Sequence, residues 1–198
     1  MRTPILLVGL LALAPAARLA AQTDYYLRAG ATGWGTLVHD FIAADVDTKA
    51  SIGPLVAVGL GHSIAPRYRA GVELTLSSSA LHTEYGSVTT DLGSARTGSA
   101  LAFLDGGVSG GLRWQAGLGF LHYFAGAAGG LLEESATRLL VGGGLDYRQP
   151  LLAAWDLTVA ARYDFHRFNT PALKAHGFSG GQGVQRVSLA IGLARGHR

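Results

Sequence analysis

Tyr68-Arg69-Ala70-Gly71-Val72-Glu73-Leu74-Thr75-Leu76-Ser77-Ser78 is the stretch whose reading decides the fold. In an extended chain successive side chains point to opposite faces. Tyr68, Ala70, Val72, Leu74 and Leu76 therefore share one face, and Arg69, Gly71, Glu73, Thr75 and Ser77 share the other. One face is apolar; the other sets a cation and an anion among small residues. The segment from Leu112 repeats the pattern, with Leu112, Trp114, Ala116, Leu118, Phe120, His122 and Phe124 opposite Arg113, Gln115, Gly117, Gly119, Leu121 and Tyr123. Leu139, Val141, Gly143, Leu145 and Tyr147 oppose Arg138, Leu140, Gly142, Gly144, Asp146 and Arg148. Trp155, Leu157, Val159, Ala161, Tyr163 and Phe165 oppose Asp156, Thr158, Ala160, Arg162, Asp164 and His166, and Val187, Leu189, Ile191 and Leu193 oppose Arg186, Ser188, Ala190 and Gly192.

Three further strands are written less cleanly. They run from Tyr25 to about Thr36, from Pro54 to Ile64, and from Thr97 to about Gly106. In the first, Arg28, Gly30 and Thr32 oppose Tyr25, Leu27, Ala29 and Ala31. In the last, Leu101 and Phe103 compete with Ala102 and Leu104 for the apolar face, so its phase stays open. The total is eight strands. The links Thr36 to Gly53, Glu84 to Arg96, Ala125 to Ala136 and Asn169 to Gly183 are long, whereas Ala65 to Arg67, Gly107 to Gly111 and Gln149 to Ala154 are short. Long and short alternate strictly, as an up-and-down antiparallel meander with two unlike ends requires.

The polarity of the two faces selects among a sandwich, a soluble barrel and a membrane barrel. The charge-bearing face is made mainly of Gly, Ala, Thr and Ser, which suits a narrow interior where small residues leave room for a few long ones. Arg28, Arg69, Arg113, Arg162 and Arg186 all lie on it. An arginine facing lipid at the bilayer midplane costs about 2 to 4 kcal/mol, so this shared phase points to an eight-stranded antiparallel up-and-down transmembrane β-barrel. Its interior is expected to set Arg28, Arg69, Arg113, Arg148, Arg162 and Arg186 against Glu73, Asp146, Asp156 and Asp164 in an ion-paired column, with His166 a partner of Asp164 or Arg162. Tyr25, Tyr68, Trp114, Tyr147 and Trp155 lie on the apolar face at the strand ends beside the short turns, the place of an interfacial belt; Phe124 and Phe165 are candidates for the opposite belt.

Composition agrees with this reading. The chain has 198 residues, 29 of them glycine, and no cysteine, which excludes disulfides, thiolate metal sites and cysteine nucleophiles. Arg2, the apolar run Ile5 to Ala14 and the small residues Leu19-Ala20-Ala21 read as a secretory signal peptide over 1–21, leaving 22–198 as the barrel domain. Setting aside Arg2 and Arg18 takes the basic residues from 16 to 14 against 13 acidic, so nucleic-acid binding loses its electrostatic basis.

These residues resemble the small eight-stranded outer-membrane barrels typified by the membrane domain of outer-membrane protein A. The resemblance covers essentially all of 22–198, and its most specific stretches are Gly30-Ala31-Thr32-Gly33-Trp34-Gly35 with His39-Asp40, and Ala65-Pro66-Arg67-Tyr68 leading into Gly71-Val72-Glu73. It implies residence in a Gram-negative-type outer membrane, contact with membrane lipid and lipopolysaccharide, insertion by the barrel assembly machinery, a monomeric state, and periplasmic termini with four long loops outside. The sequence differs from the family's pattern at Ala194-Arg195-Gly196-His197-Arg198, where an aromatic residue is usual, and no cell-wall tethering through a peptidoglycan-binding domain is expected.

Catalysis finds little footing. Arg162 to Asn169 looks like the His-x-Ser-Asn region of outer-membrane lipid A deacylases, but Phe168 stands where the serine nucleophile would be. His39-Asp40 with Asp45 and Asp47 is similar to residues of outer-membrane proteases, which are larger barrels; the group fits a solvated loop or a weak cation site, without the closing glutamate of a calcium loop. The expectation is a non-enzymatic barrel without cofactor or resident metal, with a structural or surface-interaction role. Its alternatives are a narrow channel or porin, a lipid A modifying barrel enzyme, and a secreted lipocalin-like carrier with an apolar cavity and a polar exterior.

Overall fold

The structure is a computed structural model and describes residues 23–42, 44–126, 132, 134–152, 154–169 and 182–195. The expected signal peptide lies outside the described residues. Ten strands follow in order: β1 Thr23–Trp34, β2 Val38–Ile42, β3 Ala44–Ala50, β4 Gly53–Ala65, β5 Tyr68–Tyr85, β6 Val88–Ser109, β7 Leu112–Tyr123, β8 Ala136–Leu152, β9 Trp155–Phe168 and β10 Gln182–Arg195. Eight of them close a ring in which β4 pairs with β1 and β5, β1 with β10, and the sequence β10, β9, β8, β7, β6 returns to β5. Every pairing is antiparallel, and the first and last strands join from Tyr25↔Arg195 to Trp34↔Arg186. Closure removes the unpaired edges that an open sheet would expose.

The apolar face of the ring points outward. Val58, Leu74, Leu76, Phe120, Val141 and Leu189 keep 47 to 62 % of their surface exposed, and they recur around the whole ring. Soluble monomers rarely expose contiguous apolar patches beyond a few hundred Å². A soluble carrier with a polar exterior is therefore the inverse of what is observed, and this is a transmembrane barrel.

Register settles the phase of β6. Glu73 stands opposite Leu101 and Arg69 opposite Asp105, and directly opposed residues share a face. Leu101, Phe103 and Asp105 consequently point inward, while Ala100, Ala102 and Leu104 face out. The Phe103 ring fits because Gly71 faces it from β5: a Cβ there would come within 2.5 Å of its Cζ.

The two ends of the barrel differ. At the turn end, Gly110 and Gly111 join β6 to β7 with φ of +54° and +86°, a left-handed conformation that glycine adopts without penalty. At the loop end two expected irregular links are in fact largely strand. β5 and β6 hold 18 and 22 residues, more than the roughly 9 to 11 that cross a bilayer. Their ladder continues to Tyr85↔Val88, with a register shift at Leu81/His82. Gly86, at φ +55°, begins the closing turn, and Gly93 adopts φ +91° where its N–H donates to Asp91 at 2.7 Å. The link after β1 likewise contains the hairpin β2–β3, and β3 zips onto the overshooting part of β5 from Val46↔Tyr85 to Ala50↔Leu81. Their inward positions mix apolar and polar residues, as with Val38, Thr48 and Leu81, so no clean hydrophobic alternation marks them as strands. The links after β7 and β9 include residues 127–131, 133 and 170–181, outside the described residues.

Candidate functional site

The inward face builds the site, and it is layered. Nearest the turn end, Arg69 reaches Asp105 through two donors (Nε–Oδ1 3.0 Å, Nη2–Oδ2 2.7 Å) and Asp24 through Nη1. Arg113 donates to the same Asp105 (Nε–Oδ1 2.8 Å) and to the Arg67 carbonyl at 3.1 Å. Arg148 bridges Asp146 at 3.0 Å and Asp24 at 3.2 Å. Asp156 stands half-buried at this mouth. Sharing each carboxylate between guanidinium groups is what permits so many charges away from water, since an ion buried without a partner is costly.

One layer deeper, Arg28 donates to Asp146 at 2.8 Å and to Thr158 Oγ1 at 2.9 Å, while Thr158 donates to Asp146 at 2.6 Å. Glu73 is the hub of the midsection. It accepts from the Tyr26 hydroxyl at 2.6 Å and from Arg162, with Arg28 Nη1 3.6 Å away. Arg162 also binds Asp164 at 2.8 Å. The Tyr26 ring carries the Arg28 guanidinium 4.0 Å above its centroid and fits because β4 presents Gly59, where a Cβ would fall 2.2 Å from the ring.

Above this column the interior turns apolar. Arg186 is 2 % exposed and lies 4.8 Å over the Trp34 ring, with no salt bridge among the described residues. His166 is within 2.5 Å of the Tyr123 hydroxyl, and beyond them Leu37, Val38, Leu81, Leu121, Leu132, Leu140, Phe168 and Val184 form one buried cluster. Three expectations are thereby corrected. The interior is not one ionic column from end to end. Arg186 rests on an indole instead of a carboxylate, because Asp164, its cross-strand neighbour, is engaged by Arg162. His166 pairs with Tyr123 and not with Asp164 or Arg162, because two residues along a strand carry it one layer up, where β7 delivers Tyr123. Phe168, at the position of the absent nucleophile, belongs to the apolar cluster.

Tyr25, Tyr68, Trp114, Tyr147 and Trp155 all face outward at the turn end, where Tyr25 meets Trp155 at 6.2 Å and Tyr68 meets Trp114 at 6.4 Å, both edge to face. Phe124 and Phe165 face outward toward the loop end. Sequence reasoning missed Asp24, Tyr26, Trp34 and Asp105 as interior groups. The first three share the phase of Arg28, which is the signal that could have found them; Asp105 was hidden by the unassigned phase of its strand.

Beyond the membrane-spanning part, the β2–β3 hairpin and the tip of β5 carry their own charges. His39 Nδ1 lies 2.7 Å from Asp47 Oδ1, and Lys49 donates to Glu84. The His39 hydrogen bond holds the Asp47 carboxyl below its ordinary range, and the bond to Glu84 raises the Lys49 ammonium. The side chains of Asp40 and Asp45 lie outside the described residues. Among the described residues no group of three or more His, Asp or Glu is arranged to hold a metal ion.

Closed ring, lipid-facing apolar wall, aromatic belt and filled interior together define the class: a small eight-stranded transmembrane β-barrel of the outer-membrane type. No family model matches the chain, and no curated protein matches its sequence. Among solved structures it is similar to the outer-membrane protein AlkL in lipid bilayers, at 12 % identity and a TM-score of 0.55, over 88 % of this chain and 90 % of that one. It is also similar to Ail, the attachment invasion locus protein of Yersinia pestis, in complex with the heparin analogue sucrose octasulfate, at 13 % identity and a TM-score of 0.52, over 87 % and 99 % of the two chains.

Proposed function

We propose that this protein is a monomeric, non-enzymatic outer-membrane barrel that is closed to solute flow and contacts its surroundings through its loop-end hairpins. The short turns and termini face the periplasm, and the β2–β3 hairpin with the β5–β6 tip stands outside the cell in the lipopolysaccharide layer; insertion is the work of the barrel assembly machinery. One observation carries the closed interior: the ionic column is followed by a buried apolar cluster to which both the first loop (Leu37, Val38) and the third (Leu132) contribute. Eight strands enclose space that side chains fill, and an ion entering the barrel would meet first paired charges and then hydrocarbon. The name of Ail, an attachment protein, supports a surface role for a barrel of this shape.

Planar-bilayer recording of the refolded protein is the test. No stable conductance step is expected. Large, long-lived steps would overturn the closed interior and favour a narrow channel. Fractionation tests the location: the protein is expected in the outer-membrane fraction and should migrate differently on gels before and after boiling. Recovery in the soluble fraction without detergent would refute it.

A further inference from the structure

The guanidinium of Arg186 carries a charge that no salt bridge among the described residues balances. Nε and Nη1 are fully buried and have no hydrogen-bond partner, although buried donors are almost always satisfied and a guanidinium is the most demanding of them. Its contact with Trp34 does not answer this need. A cation over an aromatic ring is attracted to its π face, which supplies no acceptor for Nε and Nη1.

Arg186 is one of the residues lining a cavity of about 20 Å³ in the middle of the barrel. The charged groups lining it are Arg28, Arg162 and Arg186 against Glu73 and Asp164. Both carboxylates are already engaged, Glu73 by Tyr26 and Arg162, and Asp164 by Arg162. The Ser188 hydroxyl is spent on Thr32 at 3.0 Å. The rest of the wall is Leu55, Thr75 and the small residues Ala57, Ala160 and Ala190, which leave the space open.

From this geometry we propose that the cavity binds one small monovalent anion of the chloride class, held by Nε and Nη1 of Arg186. A water molecule would satisfy the donors but leave Arg186 without a carboxylate of its own in a low-dielectric interior, since Arg28 is paired with Asp146 and Arg162 holds Glu73 and Asp164. About 10 to 15 Å³ of such space admits one water, so the cavity takes a single halide and is too small for phosphate or sulfate. The inference concerns the barrel interior alone and does not depend on what the external hairpins contact.

Two measurements on the full mature chain test it. Crystals grown from protein refolded in sodium bromide should show an anomalous peak within hydrogen-bond distance of Arg186 Nε and Nη1. Thermal unfolding of protein refolded in sodium chloride, and separately in sodium gluconate at equal ionic strength, should give a higher Tm in chloride that rises with the logarithm of its concentration. Matched ionic strength removes general screening as the cause. Arg186→Met, which keeps length and removes the charge, should lose the chloride dependence. The proposal is overturned by absence of the peak, by a density in which Asp164 turns to pair with Arg186, or by Tm values that coincide in the two salts. A bromide peak without any chloride effect on Tm is an adventitious ion only and also overturns it. Should Arg186→Met fail to refold, the bromide peak and the two-salt comparison on the unaltered protein decide the matter.

Discussion

Replacing Glu73 by alanine removes the hub of the buried network, and its effect can be worked out contact by contact. The carboxylate accepts the Tyr26 hydroxyl at 2.6 Å, binds Arg162 and lies 3.6 Å from Arg28. Removing one member of a buried ion pair typically costs about 3 to 5 kcal/mol, because the surviving charge is left uncompensated. Arg28 keeps Asp146 and Arg162 keeps Asp164, which places the electrostatic part near 3 kcal/mol. The orphaned Tyr26 hydroxyl adds about 1 kcal/mol or more, so Glu73→Ala should lower the unfolding free energy by about 4 kcal/mol. Glu73→Gln retains an acceptor for Tyr26 and should lose less. Combining Glu73→Gln with Arg162→Met removes both charges, and the double variant should be more stable than the sum of the single losses predicts by about 0.5 to 3 kcal/mol. Urea titrations of the refolded barrel, read by tryptophan fluorescence and gel mobility, supply the free energies. An alanine variant within about 0.5 kcal/mol of the parent, the ordinary range of an unimportant surface change, would refute the hub, as would strictly additive effects in the cycle.

Other consequences follow from single contacts. Gly59→Val pushes a branched side chain into the Tyr26 ring and should cost about 1 to 3 kcal/mol in the same titration, with the Tyr26–Glu73 hydrogen bond lost. Gly111→Ala forces a Cβ onto a residue at φ +86°, 2.2 Å from the Arg148 carbonyl oxygen, and should lower stability by about 1 to 2 kcal/mol or more, whereas Gly86→Ala meets no neighbour within 4 Å and should pay only the conformational penalty. In the β2–β3 hairpin, Asp47 has a depressed folded-state pKa. Its contribution is present above the ordinary carboxylate value of 3.8 and is lost as pH falls through the lowered one. Lys49 is raised, so its contribution is complete below 10.5 and is lost as pH rises through the higher value. Amide exchange over residues 46–50 should accelerate at both extremes, and Asp47→Asn should abolish the acid limb alone.

Much of this architecture was legible because lipid and interior impose opposite demands on neighbouring residues. Wherever a strand crosses the membrane, as at Tyr68 to Ser78, the period of two is written in hydropathy and the charged phase names the interior. Where that contrast fails, so does the reading. Leu101 and Phe103 point inward against an apolar exterior, so the phase of β6 emerges only from its register with Glu73 and Arg69. In the β2–β3 hairpin and the β5–β6 tip the buried positions, such as Val38, Thr48 and Leu81, are a mixture of apolar and polar, and no alternation betrays them. The pairing inside the barrel was beyond sequence as well. Alternation says that Arg186 and His166 point in, but only the heights of neighbouring strands put Trp34 against the one and Tyr123 against the other.

The central claim is that hydrocarbon surrounds the barrel while its charges are enclosed, and the absence of native cysteine allows one label per molecule. Nitroxides placed singly from residue 70 to residue 77 in a lipid bilayer should report oxygen accessibility that alternates with a period of two, high at Ala70, Val72, Leu74 and Leu76 and low at Gly71, Thr75 and Ser77. Maxima in phase with Glu73, or no alternation, would contradict the account.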